Sequence, residues 1–260
     1  MSLRHFPPQR IICLTEETVE TLYLLGEEAR IVGVTGYAVR PPQVRQEKPR
    51  VGAFTSARID KILELEPDLV LTFSDLQADI TSELMKNGMT VMAYNQRDIA
   101  GILAMIRHLG ALIGATEKAE ILAQSFETRL SAMAMKYQNK ARPKVYFEEW
   151  DVPMISGIKW VSELIHVAGG QDIFPHLADQ KAATDRFVSS EQVIEAQPDI
   201  MLASWCGKKV QKHAIKAREG WHHIPAITHD RIIEIKSPLI LQPGPAALTD
   251  GLDAIEKALQ

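Results

Sequence analysis

Twelve residues, Asp60-Lys61-Ile62-Leu63-Glu64-Leu65-Glu66-Pro67-Asp68-Leu69-Val70-Leu71, align without a gap on Glu191-Gln192-Val193-Ile194-Glu195-Ala196-Gln197-Pro198-Asp199-Ile200-Met201-Leu202. Each stretch opens on an acid, continues as a short helical pattern, stops at Pro-Asp and passes into an apolar run. Proline ends the helix because it disfavours the helical conformation in the residue before it and supplies no N–H. Helix–Pro-Asp–strand units are common in α/β proteins, so the match alone leaves coincidence open. Its occurrence once in each half of the chain favours two pseudo-equivalent halves.

Between the halves, no Gly or Pro occurs from Thr116 to Gln138, while Ala119, Leu122, Phe126, Leu130, Met133 and Tyr137 recur at spacings of three and four. This pattern predicts one amphipathic helix with a narrow apolar stripe, roughly 33 Å long at 1.5 Å per residue. Asn139 and Arg142-Pro143 mark its end. It reads as a strut between two lobes, or as an ordinary long helix of a single sheet.

Elsewhere short apolar runs alternate with helical patterns. Strands are predicted at Arg10–Leu14, Ile31–Thr35, Leu69–Phe73, Thr90–Tyr94, Lys144–Phe147, Ile200–Ser204 and Ile232–Ile235. They are rich in Val, Ile and Leu and mostly lack period-two alternation, as strands covered on both faces do. Helices are predicted at Glu16–Leu25, Ile59–Glu66, Ala78–Asn87, Ile99–Ile113, Trp160–Ala168, Ser190–Ala196 and Leu248–Leu259. The expected fold class is α/β: two doubly wound lobes (residues 1–115 and 141–260) joined by one long helix (116–140), with a ligand cleft between the lobes.

Ligands of open α/β sheets bind beyond the carboxyl ends of the strands. Reading just past each strand gives Tyr37, Phe54, Phe73, Ser74, Asp75, Arg97, Glu149, Trp150 and Trp205 as candidate binding residues. Five of these are large aromatics in a chain that is only 6% aromatic, which suits a bulky, partly apolar ligand. Each could instead plug the rim of its own sheet. The charges at these ends lean acidic (Glu16, Glu17, Asp75, Glu148, Glu149, Asp151), with Arg40 and Arg97 as the guanidinium candidates. That balance points to a neutral or partly cationic ligand, since polyanions recruit several Arg or Lys.

The opening Arg10-Ile11-Ile12-Cys13-Leu14 with Glu17-Thr18-Val19-Glu20 resembles the start of substrate-binding proteins for vitamin B12 and ferric siderophores. So do Val32-Gly33-Val34, Tyr37, Pro41-Pro42, Val51-Gly52, both helix–Pro-Asp–strand units, Ile155-Ser156-Gly157 and Ala168-Gly169-Gly170-Gln171-Asp172-Ile173-Phe174. The resemblance spans nearly the whole chain. It implies two α/β lobes on one long helix, a small-molecule chelate (a cobalt corrinoid or a ferric siderophore) bound between them, and delivery to an ABC permease dimer. Asp60 and Glu191 match the acids that dock onto permease arginines in the vitamin B12-binding members. Tyr37 matches a pocket tyrosine, and Phe73 stands where the B12 binder has a tryptophan. Phe147-Glu148-Glu149-Trp150-Asp151 and Trp205-Cys206 depart from that pattern, which puts vitamin B12 itself in doubt.

Composition narrows the partners. The 260 residues are 46% apolar and 24% charged, with a formal net charge of −4, and no Lys/Arg stripe suggests a nucleic-acid surface. A monomer without cofactor or resident metal is expected. Cys13 and Cys206 form no CxxC pair and read as buried small hydrophobes. His222, His223 and His229, with Cys206 and His213, form the one histidine cluster, read as surface loop residues; Trp221 beside them reads as a packing anchor. No phosphate loop, nucleophile elbow, zinc helix or dinucleotide turn occurs, so no enzyme is expected; acid–base work by Glu148, Glu149 and Asp75 is a minor reading. The start, Met1 to Pro8, lacks the apolar core of a signal peptide. The resemblance places the protein in the periplasm or on a lipid anchor. A cytoplasmic chelate-binding or sensing protein without a permease is the alternative.

Overall fold

The computed structural model describes residues 6–260; Met1–His5, most of the stretch weighed as a leader, lie outside the described residues. The chain divides into two compact units. The first runs to Gln96 and includes Ala100–Phe126; the second comprises Arg97–Ile99 and Glu127–Gln260.

The first unit holds a six-stranded sheet. In chain order its strands are β1 (Ile11–Cys13), β2 (Ile31–Thr35), β3 (Arg50–Ala53), β4 (Ser56–Ala57), β5 (Leu69–Phe73) and β6 (Val91–Tyr94). Their spatial order is β4-β3-β2-β1-β5-β6, parallel except for β4. The chain winds outward from β1 to one edge and then returns to start again at β5. That reversal puts a topological switch point at the carboxyl ends of β1 and β5. Its helices are α1 (Glu16–Leu24), α2 (Val44–Glu47), α3 (Ile59–Glu64), α4 (Ala78–Lys86) and α5 (Ile99–Leu112). One face of the sheet buries Ile12, Leu14, Val51 and Val70 with Ile62 of α3 and Leu84 of α4. Each such aliphatic side chain contributes about 1.5–3 kcal/mol when fully buried.

Helix α6 (Thr116–Tyr137) is continuous, begins in the first unit and ends in the second. Ala119, Ala123, Phe126 and Leu130 form its buried stripe; Leu122, Met133 and Tyr137, expected on that stripe, are only half-buried. Its first half pairs with the first unit through Lys118–Glu27 (2.8 Å) and Glu120–Arg107 (2.8 Å). Its second half pairs with the second unit through Arg129–Asp253 and Lys136–Glu256. Gly110 of α5 allows close packing here, since a Cβ there would lie 2.1 Å from the Ala119 Cβ.

The second unit holds a five-stranded sheet of β7 (Lys144–Asp151), β8 (Met154–Ser156), β9 (Gln171–Asp172), β10 (Ile200–Ala203) and β11 (Ile232–Glu234). Its order is β11-β10-β7-β8, with β9 pairing the start of β7. Its helices are α7 (Lys159–Val167), α8 (Pro175–Ala178), α9 (Ser190–Ala196), α10 (Lys212–Lys216), α11 (Pro225–Thr228), α12 (Ser237–Ile240) and α13 (Leu252–Leu259). The helix predicted from Leu248 begins instead as a π-helical turn at Ala247–Gly251.

The repeated stretch builds the same local structure twice. Asp60 and Glu191 are both exposed in the first turns of α3 and α9. Glu66 and Gln197 both take left-handed backbone, φ 45° and 48°. The aspartate after the proline then ties the unit to the head of its first strand. Asp68 accepts from the backbone N–H of Gln9 (2.8 Å) and Arg10 (2.9 Å), and Asp199 accepts from that of Lys144 (2.8 Å). Arg10 donates back to the carbonyls of Leu65 and Glu66, and Lys144 to that of Ala196. These cations meet the unsatisfied carbonyls at a helix end, where the dipole favours them.

Two expectations are corrected. Strand β7 does not end at Phe147 but runs to Asp151, because β8 pairs antiparallel with residues 148–151 and satisfies their backbone. Glu148, Glu149 and Trp150 therefore lie on the strand, not beyond it. Cys13 is buried as expected, whereas Cys206 is exposed.

Candidate functional site

The strand ends of the first unit are fastened by Gln77, which is wholly buried. Its side-chain oxygen accepts from the Phe73 N–H (3.0 Å), and its amide nitrogen donates to the carbonyls of Leu14 (3.2 Å) and Phe54 (2.7 Å). One side chain thus links the exits of β1, β3 and β5 at the switch point. Beside it Ser74 sits at φ 63°, ψ 172° and accepts from the Leu76 N–H. Such backbone is almost confined to glycine and costs of order 1–3 kcal/mol.

Ser74 and Asp75 line an open hollow of about 740 Å³ with Ala78, Met85, Asn95 and others from α4 and β6. Tyr37 is 51% exposed, and Phe54 is half-buried. Phe73 is only 6% exposed. Arg97 groups with the second unit, where its carbonyl accepts from the Trp160 N–H. The predicted residues of this half therefore separate: Ser74 and Asp75 share the hollow, and Phe73 packs inward.

Just behind these ends lies a buried carboxyl. Glu17, at the start of α1, accepts from the Thr15 hydroxyl at 2.6 Å. Burial pushes its pKa up to about 7, against the pull of that hydrogen bond. Burial likewise lifts the Cys13 thiol to about 12.

In the second unit the three acids at the end of β7 are each paired with a cation. Glu148 is 0% exposed and sits in an Arg218 fork (2.6 and 3.0 Å), with further hydrogen bonds from the Trp205 indole (3.1 Å) and Tyr146 hydroxyl (3.2 Å). Burial raises its carboxyl above the usual range, and the Arg218 fork pulls it back down. Glu149 points the other way, as neighbours on a strand do, to the buried Arg186 (2.6 Å). Asp151 pairs with Lys208 (2.6 Å), whose ammonium lies over the rings of Trp150 (4.5 Å) and Trp205 (4.8 Å). Trp205 is 3% exposed and part of the core, which Trp221 anchors. A smaller hollow of about 230 Å³ opens beyond β10 and β11, lined by Trp205, Lys208, Lys209, Glu234, Lys236 and Ser237 among others.

Sequence reasoning missed Gln77, Arg186, Lys208 and Arg218. The strand-end rule located their partners but carries no information on which distant cation meets which acid. Among the described residues, no group of three or more His, Cys, Asp or Glu is placed to hold a metal ion. Among them, too, no helix is long and apolar enough to cross a membrane.

Two α/β units, each with a parallel-sheet rim and sharing one long helix, define the class of two-lobed solute-binding proteins. The chain belongs to the periplasmic binding protein family, which it matches over residues 11–239. It is 25% identical to an uncharacterised ABC transporter substrate-binding lipoprotein, YvrC of Bacillus subtilis, covering 97% of this chain and 80% of that protein. It is 27% identical to the vitamin B12-binding protein of Vibrio cholerae, covering 97% and 88%. The solved structure of the periplasmic vitamin B12-binding protein BtuF of Vibrio cholerae superposes with a TM-score of 0.76 at 26% identity, covering 97% of each chain. A possible iron-binding protein of Staphylococcus epidermidis shares the fold, with a TM-score of 0.83 at 21% identity and coverage of 97% and 98%.

Proposed function

We propose that this protein is the solute-binding component of an ABC importer, capturing a metal chelate, either a cobalt corrinoid or a ferric siderophore, and handing it to a permease dimer. The near full-length match to the Vibrio cholerae vitamin B12-binding protein carries this reading. The strand-end residues Tyr37, Phe54, Ser74, Asp75, Arg97, Glu149 and Trp150 are the proposed ligand contacts, with Phe73 and Trp205 as packing beneath them. Asp60 and Glu191, exposed at matching places on two pseudo-equivalent units, suit a partner with two-fold symmetry. The protein acts as a monomer in the periplasm or on a lipid anchor and catalyses no reaction.

All four tryptophans lie in the second unit, so indole fluorescence reports on that unit. Titration with cyanocobalamin, cobinamide and ferric hydroxamates, read by fluorescence and by calorimetry, tests the proposal. Saturable binding of one of them is expected. A folded protein that binds none overturns it.

A further inference from the structure

The hollow beyond β10 and β11 has a charge opposite to that of the chain. The protein carries a net −4, yet three lysines, Lys208, Lys209 and Lys236, line this 230 Å³ space against one carboxylate, Glu234. Glu234 is engaged, accepting from the Val210 N–H at 3.2 Å. The Lys208 ammonium is held by Asp151 and by two indole faces. Lys209 and Lys236 are exposed, and neither ammonium pairs with a carboxylate among the described residues. Ser237 adds a hydroxyl at the wall, and Trp205 and Pro238 supply apolar sides.

We infer that this hollow is an anion subsite, in which Lys209 and Lys236 receive a carboxylate-rich arm of the captured ligand while Lys208 is fixed as part of the wall. The inference rests on the proposed binding function and narrows its substrate class to polyanionic chelates of the carboxylate type. It reverses the expectation of a neutral or cationic ligand. Of the six acids behind that expectation, the three in the second unit are ion-paired, Glu148 with Arg218, Glu149 with Arg186 and Asp151 with Lys208. Two flexible ammoniums beside a hydroxyl, in a space large enough for one small polar group, fit a carboxylate cluster, because each lysine is a mobile point charge that adapts to the anion. Attraction of this kind weakens with salt.

Citrate, inorganic phosphate, ferric citrate and cyanocobalamin would be titrated calorimetrically into the wild-type chain and into the Lys209→Gln/Lys236→Gln double variant, at low and at physiological ionic strength. Both substituted side chains are exposed, so the variant is expected to fold, which circular dichroism checks. The expected result is saturable citrate binding that weakens with salt and falls at least tenfold in the double variant. Ferric citrate should lose affinity in parallel, and any cyanocobalamin binding should change less than twofold. Phosphate binding as tightly as citrate would overturn the carboxylate assignment. Absence of citrate binding to the wild type, or citrate affinity unchanged in the variant, overturns the subsite. If no chelate binds but citrate still does so through the two lysines, the import reading fails and the anion subsite stands.

Discussion

Glu17 is a carboxyl placed where the protein has no cation to offer it. It is buried, its carboxylate accepts from the Thr15 hydroxyl, and its pKa stands at about 7 against an ordinary 4.5. A folded-state value above the unfolded one means that the native state holds a proton the unfolded chain has released. Stability is then highest below pH 4.5 and declines as the pH rises to about 7. At 1.36 kcal/mol per pH unit across that window, the decline amounts to about 3 kcal/mol. Glu17→Gln keeps the shape and a group that accepts from Thr15 while removing the ionisation. The variant should therefore match the wild type within about 1 kcal/mol at pH 4.5 and exceed it by about 3 kcal/mol at pH 8. Tryptophan fluorescence does not report on the first unit, so the assay is native-state hydrogen exchange of the Ile11–Cys13 amides at both pH values, corrected for intrinsic exchange. A variant that differs from the wild type by the same amount at both pH values, or is less stable at pH 8, refutes the neutral, buried Glu17.

Gln77→Leu should cost about 3 kcal/mol, near 1 kcal/mol for each of three lost hydrogen bonds, and should abolish exchange protection at the Phe73 amide before that of β10. Arg218→Met strands the Glu148 carboxylate in the core, so a loss of about 3–5 kcal/mol is expected at pH 7.5. Urea unfolding followed by indole fluorescence should show that loss shrinking as the pH falls and Glu148 takes up a proton, and the double variant Glu148→Gln/Arg218→Met should recover most of it. Asp60→Ala and Glu191→Ala should leave the affinity for the chelate unchanged within twofold, measured by calorimetry, while each lowers permease-dependent uptake in a reconstituted system. An uptake rate equal to that of the wild type would remove these acids from docking.

The elements most legible in the sequence are those whose signal is local. The Pro-Asp stop, the central helix and the apolar runs of β1, β5 and β10 are written in consecutive residues, and their observed bounds fall within a few residues of expectation. Strands β3, β4, β8 and β9 were missed because they exist through pairing with a neighbour, not through a hydrophobic run of their own. The candidate site was half legible. The strand-end rule placed Ser74 and Asp75 beyond β5, where they line the hollow, but it put Glu149 and Trp150 past a strand that in fact contains them, and it could not tell that Phe73 and Trp205 turn inward, since the inward or outward face of a strand-end residue depends on the register of the whole sheet. Gln77 gives no sequence signal at all: its three partners come from β1, β3 and β5, which are adjacent only after folding.

Charge shows the same limit in its sharpest form. A list of residues near the strand ends counts acids, and six of them outnumber the two arginines. Folding then pairs Glu148 with Arg218 across 70 residues and Glu149 with Arg186 across 37, and pairs Glu20 with Arg40 at 2.9 Å, while burial holds Glu17 protonated up to about pH 7. A carboxylate clamped by a guanidinium at such distances presents a dipole to its surroundings, and a dipole's field falls off faster than that of a bare charge. The interaction of two unit charges 4 Å apart near a protein surface is about 4 kcal/mol, so an arriving ligand responds chiefly to the charges that have not been cancelled. At the hollow beyond β10 and β11 those are the ammoniums of Lys209 and Lys236. The sign of a binding surface is therefore a property of the folded pairing scheme: of the six strand-end acids, Glu148, Glu149 and Asp151 are paired with the fold's own cations, and burial keeps Glu17 protonated up to about pH 7.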